Sequence, residues 1–246
     1  LGARSATLGS QVVESSWASV FNDDKKLIAF SDSVQDAAHR AGFFGARTYL
    51  NNVRTALAHV MDEVVPSRLN WTAFLEKMEQ QFEQPGSVLH MSRESLVSEF
   101  VAPNMMWQRD WSVELQEKQH LPTESRLPLK VKKRLLWQAY SEMTYQSHRG
   151  RTLERTGKAT LSVPWSVVEA VAADLLPRYR EQFGAHGLEL KTVTQWLWGT
   201  LAHMRRRGGV MHPELGAYAG DGRVYALVKT GSSAEWMPKM GEHTPR

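Results

Sequence analysis

Ser31-Asp32-Ser33 follows a short apolar run, Leu27 to Phe30, and precedes an Ala-rich stretch at helical spacing. Two hydroxyls and a carboxylate at such a junction sit beside the unpaired N–H groups and positive dipole end of a helix N-terminus, a setting that suits a phosphate. The same residues also suit plain helix capping, because Ser33 and Asp36 have capping-box spacing and Asp32 can cap equally well. Asp32 and Asp36 lie four apart, as paired catalytic carboxylates can, but no second element joins them, so they read as turn and cap residues. Ser31 and Ser33 lack the G-x-S-x-G elbow of a hydrolase nucleophile. His148, His186, His203 and His212 show neither i,i+4 pairing nor a nearby carboxylate pattern of the kind zinc enzymes use. No catalytic residue and no metal site is expected.

A second set of chemistry-bearing residues lies near the carboxyl end. Leu190, Val193, Leu197, Leu201 and Met204 recur at three and four residues, which marks the inward stripe of a helix. Rotating away from that stripe gives Lys191, Gln195, Trp198, Ala202 and Arg205, with Arg206 one step further round. Cations, an amide and a large aromatic on one face can grip phosphates and stack on bases. Trp198 packed against a neighbouring domain is the competing reading.

Stepping along the chain gives the elements that must hold these groups. Ser5 to Ser19 reads as a helix, Leu27–Phe30 as a strand, and Val34 starts a helix with Ala37, Ala38, Ala41 and Phe44 on one face. Gly42 and Gly45 suggest a bend or close packing. Helical spacing resumes through Leu50, Val53, Leu57, Val60 and Val64 and stops before Pro66. Trp71 to Phe82 and Ser92 to Phe100 are further helices, and Met105, Met106, Trp107 and Trp111 suggest a packed one. Lys130 to His148 is a helix with Val131, Leu135, Tyr140 and Met143 turned inward. Ala159–Val163 is β-prone. Pro164 opens a helix through Val168, Val171 and Leu175, kinked at Pro177 and ended by Gly184. The next begins at Leu188 or Glu189 and closes at Arg207-Gly208-Gly209. Short strands near Val210–His212 and Arg223–Val228 complete the element order of a winged helix.

The wording of the first segment carries a resemblance. Phe30-Ser-Asp-Ser-Val-Gln-Asp-Ala-Ala-His-Arg-Ala-Gly-Phe-Phe44 resembles the start of the second RecA-like domain of superfamily 2 helicases of the DEAD/DEAH-box type, over about residues 22 to 50. It looks most like the branch reading roughly F-S/T-D-S/N-R-Q-D-A-A. The usual Arg of that pattern is Val34 here, which weakens a charge-based role at that position. In such helicases this strand–turn–helix is motif IV, close to the nucleic-acid backbone, so the resemblance implies phosphate contacts for Ser31, Asp32, Ser33 and Gln35. No G-x-x-x-x-G-K-[ST] loop, Asp-Glu-x-His or Asp-Glu-Ala-Asp string occurs, and no late arginine-finger segment follows. The chain, which starts at Leu1 rather than Met, therefore reads as an excised piece of an ATP-dependent helicase. ATP and Mg²⁺ would be held by the rest of the polypeptide, and this piece should be inactive as a hydrolase.

The resemblance and the element order together imply a mainly α fold with short β elements (α+β). Residues 1–65 would be a partial RecA-like start, 66–128 a helical insertion, 129–230 a winged-helix-like module and 231–246 a tail or linker. The expected partners are DNA or RNA and the remaining helicase domains. Composition agrees: 246 residues, net charge +4 and a pI of about 9.3 form a mildly basic chain with room for real cores. Basic residues concentrate between Arg126 and Lys158, at Arg126, Lys130, Lys132, Lys133, Arg134, Arg149, Arg151, Arg155 and Lys158, a hint of a nucleic-acid face or of a solvated helix surface. The absence of cysteine excludes disulfides and thiolate zinc sites in this chain. No apolar run reaches the ~20 residues that span a bilayer, and no signal peptide is visible, so the expected placement is cytoplasmic, away from membranes. The alternative is a winged-helix protein-interaction or domain-docking module with no nucleic-acid contact.

Overall fold

The computed structural model describes residues 34–64, 69–106, 109–148, 150–184 and 186–213, together with Gly9 and Val12. Among these the chain is mainly α-helical: α1 (Val34–Val64), α2 (Trp71–Gln81), α3 (Arg93–Phe100), α4 (Leu127–Met143), α5 (Trp165–Phe183) and α6 (Leu190–Arg206). A 3₁₀ turn spans Pro103–Met105 and a π-helical turn spans Asp110–Leu115. None of the described residues forms a strand. The strand expected at Leu27–Phe30, the one at Arg223–Val228 and most of the helix expected at Ser5–Ser19 lie outside the described residues.

The chain divides into two compact units, Leu1–Glu63 with Met78–Leu135 and Val64–Lys77 with Leu136–Arg246. The division cuts through α2 and α4. In the first unit, Tyr49, Val53, Leu57 and Val60 are buried along one face of α1, the 3.6-residue period made physical. That helix runs unbroken through Gly42 and Gly45, and a Cβ at Gly45 would meet nothing, so neither a bend nor a close approach is needed there. Ser92 caps α3 by accepting the Ser95 N–H at 3.1 Å. Met105 is fully buried, but its segment is a 3₁₀ turn rather than the packed helix expected.

In the second unit the inward face of α4 agrees with the sequence pattern, since Tyr140 and Met143 are buried along with Trp137. Helices α5 and α6 form a hairpin around Ala172, Leu176 and Val193, with Leu188, Leu190 and Leu197 against them. Of the expected Val168, Val171 and Leu175, Val168 is buried, and beyond it the buried residues are Ala172 and Leu176, one position further round. Val171 is left exposed. Gly184 ends α5 in the left-handed conformation, and α6 ends in a Schellman arrangement. Gly209 N–H donates to Met204 O and Gly208 N–H to Arg205 O, both at 2.9 Å, with Gly208 at φ +85°.

That turn sends the chain back over an aromatic cluster. Tyr140 Oη donates to Gly208 O at 2.7 Å and Trp71 Nε1 to Met211 O at 2.8 Å. His212 is buried with its ring centroid 5.2 Å from those of Trp137 and Tyr140. Burial, helped by neighbouring Tyr145, pushes the Tyr140 phenol up, so it stays a neutral donor. The strand expected at Val210–His212 is instead an irregular segment, pinned where Met211 O accepts from Trp71.

Candidate nucleic-acid interface

The segment between α4 and α5 builds the surface on which the cations of the second unit sit. Glu142, itself buried, accepts the Leu153 N–H at 2.9 Å, and Thr152 Oγ1 donates to Ser147 O at 2.5 Å. These bonds hold Thr152 and Leu153 inward and leave Arg151, Arg155 and Lys158 exposed. The loop is thus a fixed platform with its cations outward. Its β-prone end, Ala159–Val163, is irregular and pairs with no strand among the described residues.

Glu154 is the exception on that platform, because it turns toward α6. Its Oε1 lies 2.9 Å from Arg205 Nη2 and 3.8 Å from Arg206 Nη2. Arg205 is only 8% exposed. Its Nη1 also donates to Met143 O at 3.2 Å, with Thr160 Oγ1 at 3.5 Å. Met143 ends α4, where unpaired carbonyls and the negative dipole end favour a cation. Arg205 is therefore not the outward phosphate ligand that helical phase suggests. Three acceptors of its own unit, Glu154 Oε1, Met143 O and Thr160 Oγ1, surround it, and it acts as a tie.

Burial pushes the Glu154 carboxyl up, but the Arg205 hydrogen bond and charge, aided by Ser147 and Arg206, outweigh it and hold the group below its ordinary value. A lowered native pKa stabilises the fold fully above the unfolded value of about 4.5 and loses that contribution as pH falls through the native value. The stability difference between the wild type and Glu154→Gln should be constant above pH 4.5 and shrink below it. Urea titrations across acid pH check this, and a difference that grows on acidification would contradict the pairing.

The other expected site residues divide. Lys191 and Gln195 are exposed on α6, Trp198 is 42% exposed, and the Arg206 side chain is 53% exposed. Ala202 is half-buried. Leu201 and Met204, expected inside, are exposed, because the hairpin core closes at Leu197. Gln35 falls in the first turn of α1, and Ser31, Asp32 and Ser33 lie outside the described residues. Sequence reasoning missed Trp165, whose ring centroid is 6.5 Å from that of Trp198. Its place directly after Pro164, at a helix start, was the available signal.

The basic cluster from Arg126 to Lys158 divides between the two units, and Arg149 lies outside the described residues. Arg126, Lys130, Lys132, Lys133 and Arg134 belong to the first unit and Arg151, Arg155 and Lys158 to the second. Lys132 is engaged at 2.6 Å by Glu83 and lies 5.1 Å from the Phe82 ring centroid. Its hydrogen bond and charge hold the Glu83 carboxyl below its ordinary value. Arg126 and Lys130 line a cleft of about 410 Å³ with Arg109, but Asp110, Glu114 and Glu124 line it too. Three carboxylates against three cations give that cleft no charge preference for phosphate. In the second unit, the segment 150–160 carries one carboxylate, Glu154, and arginine engages it. Comparison with known proteins returned no matching family model, curated protein or solved structure.

Proposed function

We propose that this chain is the nucleic-acid-holding segment of an ATP-dependent superfamily 2 helicase, lacking the ATP-hydrolysing motifs itself. The helicase class rests on the wording of Phe30–Phe44, and the RecA-like start and winged-helix-like module belong to the same reading. What supports nucleic-acid contact most is the Glu154–Arg205 tie. It joins the exposed cations Arg151, Arg155 and Lys158 to the end of α6, where Arg206 is exposed, and neutralises the local carboxylate. Exposed cations, together with accessible aromatic rings in the same unit, are the chemistry that tracks a phosphate backbone. In the whole motor, ATP and Mg²⁺ would be bound by other domains, with the Ser31–Asp36 turn as a further phosphate contact and this chain coupling closure to strand movement.

Binding of DNA or RNA should weaken linearly in log–log form with added salt. The combined change of Arg151, Arg155 and Lys158 to Ala should flatten that slope by roughly 0.7 to 0.9 per lost phosphate contact, about two to three units in all. Fluorescence anisotropy at several salt concentrations measures it. A slope unchanged by the triple substitution would remove this loop from the interface.

A second reading, a domain-docking module without nucleic-acid contact, is favoured by the exposed apolar groups Tyr179, Phe183, Trp196, Leu201 and Met204 on the hairpin. The same titration separates the two, since an apolar dock responds little to salt.

A further inference from the structure

We infer that Trp165 and Trp198 form a two-ring platform for unpaired bases, so that the bound form of the nucleic acid is single-stranded. This rests on the nucleic-acid reading above and goes beyond it in naming the substrate form. The two rings meet at 6.5 Å between centroids and 52°, yet 45% of Trp165 and 42% of Trp198 stay exposed. Their contact covers part of each ring and leaves room for a ligand. A mutual contact between residues of two helices also fixes both rings, which lowers the ordering entropy a base would otherwise have to offset.

Charge decides the occupant. The chain runs from the exposed cations of the 151–158 loop through Thr160, beside Arg205, directly into Trp165. Arg206, exposed at the end of α6, lies two turns along from Trp198. A backbone following these cations would bring its bases to the rings. In a duplex the base faces are closed by stacking, so only an unpaired strand can use both elements. Glu169, exposed one turn beyond Trp165 on α5, repels phosphate and closes that direction to the backbone.

The test uses the full 246-residue chain with three probes: an oligothymidylate, an oligouridylate and a duplex of the same length. Trp165→Ala and Trp198→Ala should each lower the ratio of single-strand to duplex affinity by about fivefold to a hundredfold, with Trp165→Phe recovering most of the loss. Tryptophan emission should fall when single strand binds, and fall less in either Ala variant. The two single-strand arms distinguish DNA from RNA as the source of the bases. Thermal melts confirm that each variant is folded. Equal weakening on single strand and duplex would overturn the platform. So would unchanged single-strand affinity in Trp165→Ala while the loop triple variant loses binding, an outcome that leaves the nucleic-acid reading standing. If no probe binds in a salt-dependent way and the chain instead self-associates through these rings, both readings fall.

Discussion

Arg205→Ala should destabilise the second unit by about 3 kcal/mol, whereas Arg206→Ala should cost less than about 1 kcal/mol. Both arginines approach the same Glu154 oxygen, at 2.9 and 3.8 Å. Burial makes the difference. Removing the Arg205 guanidinium leaves Glu154 without its main partner and leaves Met143 O without its Arg205 donor. An unsatisfied carbonyl and a poorly paired carboxylate are both costly where water is excluded. The figure sits at the lower end of the range for buried pairs because the Glu154 side chain keeps 23% exposure and water can partly replace the lost donor. Urea unfolding of the two variants beside the wild type measures this. If Arg205→Ala left the midpoint unchanged while flattening the salt dependence of nucleic-acid binding, Arg205 would be a free phosphate ligand and the tie would be wrong. On the proposed nucleic-acid reading, Arg206→Ala should instead flatten the salt slope by about one unit and hardly move the melt.

The contrast between these neighbours also explains what sequence could tell. Local features were legible. The Ser92 cap, the Gly184 stop and the Arg207-Gly208-Gly209 ending depend on hydrogen bonds between residues a few positions apart. The inward face of α4 was legible because one dominant stripe runs through Val131, Leu135, Tyr140 and Met143, all buried. Helical phase alone placed Arg205 outside, because it counts angles on one helix and knows nothing of its neighbours. The acceptors that bury Arg205 lie 45 to 62 positions away in sequence. The Trp165–Trp198 contact is long-range in the same sense. For α5, two apolar stripes compete, and the choice of Ala172 over Val171 is made by the residues of α6 that meet it. Pro177 lies inside α5, which continues to Phe183. The strand at Val210–His212 failed for another reason, since apolar residues near a Gly pair look β-like whether their carbonyls meet a ladder or an aromatic side-chain donor.

Trp137→Ala should cost about 3–5 kcal/mol, the range for emptying a buried aromatic site. Trp137 is 0% exposed, with its ring centroid 4.8 Å from that of Tyr140 and 5.2 Å from that of His212. Tyr140 in turn faces Trp71 at 6.4 Å and Tyr145 at 6.1 Å. The cavity would open among rigid rings, which relax poorly, so the upper half of the range is expected. Tyr140→Phe is the calibrating variant. It keeps the ring and removes the hydrogen bond to Gly208 O, for about 1–2 kcal/mol. Both changes loosen the segment from Gly208 to His212, but only the first also removes packing under it. Near-ultraviolet circular dichroism should lose intensity in Trp137→Ala well below the wild-type melt, while nucleic-acid affinity measured where the variant is still folded should keep its salt slope. A loss under about 1 kcal/mol would mean that Trp137 is not at the centre of this core. A flattened slope with an intact fold would mean that it lies on the binding surface instead.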